Sequence, residues 1–232
     1  MKKKIIGIIL VLLFIISFIY LNSYYKALSV DKYLKGNKDV KVIKIDNGYY
    51  FDGVGKDTSI IFYPGAKVEF TSYSPLLYSL ASEGIDCFLI KMPFNIAFFN
   101  PNVASSIIKN YKYDNWYMMG HSLGGVVAAN YVNKNDIDGL ILLASYPSVK
   151  VNTKLLSIYG DKDGVLNIDK YNKSKRYFSD DYKEVIIKNG NHSGFGNYGI
   201  QKKDNDTSLS NKEQQEQTVD AIIEFIKENN LK

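Results

Sequence analysis

The spacing of hydrophobic positions along this chain changes several times, and each change marks an element. Residues 5–21 form an apolar run of 17 residues, interrupted only by Gly7 and Ser17. Residues 22–40 are polar and carry several lysines and tyrosines, the composition of a connector with some helix in it. Residues 41–46 and 49–52 read as two strands joined at Asn47-Gly48, a dipeptide suited to a tight hairpin turn. Residues 59–63 are continuously apolar and end at Pro64-Gly65, the pattern of a strand buried on both faces.

From there strands and helices alternate. Leu76, Leu77, Leu80 and Ala81 lie at helical spacing before Gly84, and residues 85–91 read as the next strand. A helix over residues 102–110, a short strand over 116–119 and a helix over 126–132 follow. Residues 139–144, 155–159 and 184–187 are three further strands. Ser210 and Glu213 form a capping box for a last helix, with Val219, Ile222, Ile223 and Ile226 on its buried face. Such alternation predicts an α/β protein with a mostly parallel central sheet flanked by helices.

The N-terminal run has its own chemistry. At 1.5 Å per residue it spans about 25 Å, within the range of a membrane helix. Lys2, Lys3 and Lys4 precede it, which predicts a cytoplasmic N-terminus and an extracytoplasmic remainder. Tyr20, Tyr24 and Tyr25 are expected at the outer interface, where amphipathic rings are favoured. A cleaved signal peptide is the competing reading. Residues 21–25 lack a small-x-small cleavage pattern, and no cysteine there could take a lipid, so a retained signal-anchor is expected. The expected division is an anchor over 1–21, a connector over 22–40 and one globular domain over 41–232.

Charge and cysteine usage narrow the function. The net charge is +5, but the three lysines at positions 2–4 leave residues 5–232 with only +2. That is too little to predict a nucleic-acid partner. With no Cys/His cluster at ligand spacing, a structural zinc site is not expected, and the serine chemistry read below calls for no cofactor. The lone Cys87 lies in an apolar strand and reads as a core residue.

Gly120-His121-Ser122-Leu123-Gly124 falls between a strand and a helix. Glycines on both sides allow a tight turn that a Cβ would crowd, and the turn raises the serine hydroxyl above the sheet. Serine needs an adjacent base to become nucleophilic. The chain has two histidines. His121 is tied into the turn, which leaves His192, in a glycine-rich loop after the strand over 184–187. A carboxylate must hold that imidazole. Gly160-Asp161-Lys162-Asp163 offers two, of which Asp163, three residues past the strand-ending glycine, is preferred and Asp161 is the alternative. The backbone N–H of Leu123 and one from the loop at Pro64-Gly65-Ala66, with Ala66 as the candidate, would meet the charge developing on a carbonyl oxygen. Lys67, Glu69 and Tyr73 are expected near that loop, where contact with substrate is one reading and a surface or helix-capping role is preferred.

These segments resemble the α/β-hydrolase superfamily over about residues 40–227. The matching stretches are Phe62-Tyr63-Pro64-Gly65-Ala66-Lys67-Val68, Gly120-His121-Ser122-Leu123-Gly124-Gly125, Tyr159-Gly160-Asp161-Lys162-Asp163-Gly164 and Gly190-Asn191-His192-Ser193-Gly194-Phe195-Gly196-Asn197-Tyr198-Gly199. The chain is more narrowly similar to small bacterial, dienelactone-hydrolase-like members. The resemblance implies an α/β-hydrolase fold, a triad of Ser122, Asp163 and His192, and an oxyanion hole at Ala66 and Leu123. Dienelactone hydrolases use a cysteine where this chain has Ser122, so their substrate is not carried over. Only residues 137–159 separate the helix after Ser122 from the aspartate loop, too few for a lid insertion. The expectation is therefore a membrane-anchored serine hydrolase with an open, shallow site for a small-molecule or acyl substrate. A peptidase or acyltransferase with the same triad is the nearest alternative, and a non-catalytic binding domain on a membrane tether is the alternative of another class.

Overall fold

The structure is a computed structural model that describes residues 2–230. Helix α1 (Lys2–Asn22) projects from a globular body. Among the described residues it contains the one helix long and apolar enough to cross a membrane, Lys4–Asn22, with a mean hydropathy of 2.8 and none of it buried.

The body is built on eight strands: β1 (Lys41–Ile45), β2 (Gly48–Asp52), β3 (Thr58–Tyr63), β4 (Asp86–Ile90), β5 (Asn115–His121), β6 (Gly139–Leu143), β7 (Lys154–Gly160) and β8 (Tyr182–Ile187). They form one sheet in the order β1-β2-β4-β3-β5-β6-β7-β8. Strand β2 is antiparallel to both its neighbours, and every other pairing is parallel. This is the mostly parallel α/β sheet that the hydrophobic pattern predicts. The hairpin differs in detail. Gly48 pairs with Ile45 as the first residue of β2, so the turn is Asp46-Asn47 rather than Asn47-Gly48. Gly48 instead passes so close to β4 that a Cβ would collide with the Leu89 carbonyl.

Residues i and i+2 of a strand share a face. Ile60 and Phe62 therefore join one core with Met119, Ile141 and Leu156, packed under α3 (Ser74–Ser82) and α7 (Asn211–Asn230). Ile61 and Tyr63 join the opposite core with Met118, Leu140 and Leu142, covered by α4 (Val103–Asn110) and α5 (Leu123–Val132). Cys87 is fully buried in the first of these cores. The capping box closes as predicted: the Ser210 N–H donates to Glu213 Oε2 at 2.9 Å and the Glu213 N–H donates to Ser210 Oγ at 3.2 Å.

Among the described residues two short α-helices remain, α2 (Asp31–Leu34) in the connector and α6 (Ile168–Ser174) after β7. Sequence periodicity misses α6 because it is short and mostly polar. Its start is set instead by Asn167, whose side chain accepts the Lys170 N–H at 2.9 Å. The connector is fastened to the body rather than free. Tyr25 pairs with Val68 as a parallel bridge, with the Tyr25 N–H on the Lys67 carbonyl at 2.7 Å and the Glu69 N–H on the Tyr25 carbonyl at 2.8 Å. The Tyr25 ring packs 5.9 Å from that of Tyr198. Tyr25 is thus taken up by the domain and not by the bilayer interface that the sequence predicts for it.

Candidate active site

The loops that follow the carboxyl ends of β3, β5, β7 and β8 converge on one edge of the sheet, the place where open α/β sheets gather functional groups. Ser122 stands between β5 and α5 with φ +51° and ψ −122°, a backbone conformation that L-residues seldom adopt. Its glycines are needed for close approach. A Cβ on Gly124 would lie 2.1 Å from the Tyr63 carbonyl oxygen, and one on Gly120 would lie 2.5 Å from the Gly124 backbone. The turn is pinned from below by the Ser122 N–H on the Leu143 carbonyl at 2.9 Å and by Ser145 Oγ–H on the Ser122 carbonyl at 2.6 Å.

His192 faces Asp163. Its Nδ1 lies 2.8 Å from Asp163 Oδ2, and both side chains are almost wholly buried. The other carboxylate oxygen, Oδ1, accepts the N–H groups of Val165 at 2.8 Å and Leu166 at 2.7 Å. Because a carboxylate accepts, Nδ1 of His192 carries the proton and Nε2 presents a lone pair. That Nε2 is buried and has no hydrogen-bond partner among the described residues. Asp161 takes a different place. It is exposed, and its Oδ1 accepts the Asn189 N–H at 2.7 Å. The structure therefore brings Asp163, and not Asp161, to His192.

Ser122, Leu123 and His192 line one cavity of about 230 Å³ together with Val126, Tyr146 and Leu166. Ala66 is on the adjoining loop, which the Gly124 contact holds against the serine turn. No hydrogen bond among the described residues uses the N–H of Ala66 or of Leu123. The helix over α5 begins at Leu123, so its N-terminal dipole also points toward Ser122. A larger hollow of about 350 Å³ beside Leu28, Asn197 and Gln215 contains none of these residues.

His121 does not share the role of His192. It is fully buried, with Nδ1 2.8 Å from the Tyr73 hydroxyl and Nε2 3.1 Å from the His192 carbonyl oxygen. The carbonyl can only accept, so Nε2 carries the proton and Nδ1 accepts from Tyr73. The Tyr73 oxygen in turn accepts the Gly65 N–H at 3.2 Å. Burial above all holds the His121 imidazole well below its ordinary range, so it is neutral. One chain of hydrogen bonds thus ties the loop after β3, the serine turn and the histidine loop together. Tyr73 is fully buried at its centre. The sequence predicts it at the surface or as a helix cap, because an i,i+3 pattern cannot show a hydroxyl reaching across to another loop.

The histidine loop has two further supports that the sequence did not reveal. Asp204 accepts the N–H of His192 at 3.2 Å through Oδ1 and the N–H of Ser193 at 2.7 Å through Oδ2. Gln214 of α7 is fully buried and closes both directions on Asn191, accepting its N–H at 3.0 Å and donating to its carbonyl at 2.8 Å. Glu69 accepts the Ala27 N–H at 3.0 Å and so holds the connector, and Lys67 donates through Nζ to the Tyr20 carbonyl at the end of α1.

Comparison with known proteins agrees with the fold. A model of the alpha/beta hydrolase family matches residues 59–216. The solved structure of Est1E from Butyrivibrio proteoclasticus has a TM-score of 0.59 at 15% identity, covering 84% of this chain and 100% of its own. Alpha/beta hydrolase domain-containing protein 10 from mouse has a TM-score of 0.59 at 13% identity, over 82% and 99%. A bacterial membrane phospholipase A has a TM-score of 0.62 at 13% identity, over 100% of each chain. At these identities the likeness is one of fold. No curated protein matches by sequence. The family match spans both the serine turn and the histidine loop, and the chain belongs to the alpha/beta hydrolase family.

Proposed function

We propose that this chain is a membrane-anchored serine hydrolase that cleaves ester or related acyl bonds through Ser122, His192 and Asp163, with the catalytic domain outside the cytoplasmic membrane. The observation that carries the reading is the buried His192–Asp163 pair at 2.8 Å, with a serine held at φ +51° that lines the same cavity as His192. His192 Nε2 takes the proton of Ser122 Oγ as the oxygen attacks the substrate carbonyl carbon. Asp163 keeps the Nδ1–H tautomer and stabilises the imidazolium. The N–H groups of Leu123 and Ala66 receive the oxyanion. The proton then passes from His192 to the leaving oxygen, and water repeats the sequence to release the acid and restore Ser122. Helix α1 supports the anchoring, because its residues 5–21 form a long apolar run and none of the candidate span is buried.

The test is Ser122→Ala in the full chain, assayed with a soluble short-chain ester and with a fluorophosphonate probe. Loss of a triad nucleophile removes about 10⁶-fold in kcat, so hydrolysis and labelling should both vanish while the circular dichroism is retained. Full hydrolysis by a folded Ser122→Ala protein overturns the assignment. An unlabelled wild type that hydrolyses no acyl substrate favours a binding domain.

A further inference from the structure

The segment after β4, Met92-Pro93-Phe94-Asn95-Ile96-Ala97-Phe98-Phe99, places three aromatic side chains in solvent. Phe94, Phe98 and Phe99 are 47, 56 and 55% exposed. They are held there and do not dangle. Ala97 is buried, the rings of Phe94 and Phe99 meet edge-on at 5.6 Å, and the Asn95 carbonyl accepts the Lys67 N–H at 2.8 Å. Phe94 and Asn95 both take positive φ, +53° and +54°. A backbone strained in this way persists only where its surroundings enforce it, and here it aims apolar rings outward. An aromatic cluster fixed in solvent marks a contact surface.

The same Lys67 that holds this segment also holds the end of α1. Its ammonium donates to the Tyr20 carbonyl and stands 4.2 Å from the Tyr20 ring centre. The next residue, Val68, pairs with Tyr25. The membrane helix therefore leaves the body beside the aromatic segment, at the edge of the sheet where Ser122 lies. Around that exit Tyr24, Leu28 and Ile200 are exposed, as are Lys26 and Lys202, and Lys91 is exposed where the aromatic segment leaves β4. The Lys202 N–H donates to the Tyr25 hydroxyl at 2.9 Å, which places it on this rim. Aromatic and aliphatic side chains among lysines make up the surfaces that lie in lipid headgroups. The serine cavity, at about 230 Å³, is smaller than the roughly 300–1,000 Å³ of sites that enclose a whole ligand. Only ten residues join β6 to β7, so no lid covers a long chain there.

We infer that the acyl substrate is a lipid of the bilayer in which α1 sits. Residues 94–99 seat in the headgroup boundary beside the helix and hold the mouth of the cavity at the leaflet. The carbonyl end of an acyl chain reaches Ser122 while the rest of the chain stays in the leaflet. This rests on the serine hydrolase reading above and specifies its substrate class. The Ser122 Oγ–acyl bond forms as the lipid ester C–O bond breaks, and His192 passes the serine proton to the departing lipid oxygen. Water then releases the fatty acid.

The experiment reconstitutes the full chain in vesicles of equimolar phosphatidylcholine and phosphatidylglycerol. It measures fatty acid released from the vesicle lipid and, in the same vesicles, hydrolysis of a soluble short-chain ester. The variant is Phe94→Asn/Phe98→Ser/Phe99→Ser; asparagine accepts the positive φ at 94, and none of the three lines the Ser122 cavity. Release from vesicle lipid is expected to fall by about tenfold or more, with the soluble ester cleaved within about twofold of wild type. A Phe98→Trp protein supplies a readout free of catalysis. Its added fluorescence should be quenched by phosphatidylcholine brominated along the acyl chains, above the constant background of the buried Trp116. Equal losses on both substrates, or no quenching, overturn the proposal. Fluorescence that instead changes with protein-to-lipid ratio means that a second copy covers the rings, which also overturns it. A wild type that cleaves the soluble ester but releases no fatty acid overturns the lipid inference and leaves the hydrolase reading standing. Cleavage of neither substrate removes both.

Discussion

Tyr73→Phe removes one oxygen atom from the centre of the hydrogen-bond chain that joins the three loops of the site. The ring volume is conserved and Tyr73 is fully buried, so no cavity of consequence forms and no water replaces the hydroxyl. Two partners are left without a bond, the Gly65 N–H at 3.2 Å and His121 Nδ1 at 2.8 Å. A buried polar group stripped of its partner costs about 1–3 kcal/mol. Both together, with some relaxation, come to about 2–4 kcal/mol. For a domain of this size each kcal/mol moves Tm by about 2–4 °C, which gives a fall of about 4–16 °C. The assay is thermal unfolding of the full chain in detergent, followed by circular dichroism. Turnover should suffer as well, since Gly65 precedes Ala66, and the loss should appear in kcat more than in KM. The double variant with His121→Asn should be less than additive, with a coupling of about 0.5–3 kcal/mol, because both changes break the same chain. A Tm within about 2 °C of wild type, or strict additivity, would refute the reasoning.

Three further outcomes follow from the same geometry. Asp163→Asn should lower kcat by roughly 10⁴ through the wrong imidazole tautomer, whereas Asp161→Asn, which touches only the Asn189 N–H, should cost a fewfold; kinetics on a soluble ester separate them. Gly124→Ala drives a Cβ to 2.1 Å from the Tyr63 carbonyl, so the serine turn must shift, and kcat/KM should fall by about 10² or more in a protein whose circular dichroism shows it folded. His121 is held below its unfolded pKa by burial, so its contribution to stability is full above pH about 6.5 and is lost as pH falls toward the folded value. Denaturant titrations at stepped pH below that point should show wild type losing up to about 1.4 kcal/mol per pH unit more than His121→Asn, and equal slopes would disprove the neutral-histidine network.

The sheet and its helices were legible in the sequence because each rests on local periodicity. Ile60, Ile61 and Phe62 alternate between two cores whatever the rest of the chain does, and Ser210 with Glu213 closes a capping box within one turn. The serine turn was legible for a similar reason, since its glycines answer to contacts within five residues and to the one strand alongside. Which aspartate meets His192 was a different matter. Asp161 and Asp163 are two residues apart, and only the packing of the β7 and β8 loops, with the Lys162 N–H on the Gly190 carbonyl at 2.8 Å, turns one inward and leaves the other in solvent. Tyr73, Asp204 and Gln214 act on loops far from them in the chain, through single hydrogen bonds with no periodic signature. The connector shows the same limit. Its polarity reads as a linker, yet Tyr25 pairs with Val68 and sets where α1 leaves the body. Composition and period determined what each segment is, because those depend on neighbours along the chain. Where the segments meet depends on contacts between distant residues, and the tertiary structure alone decided that.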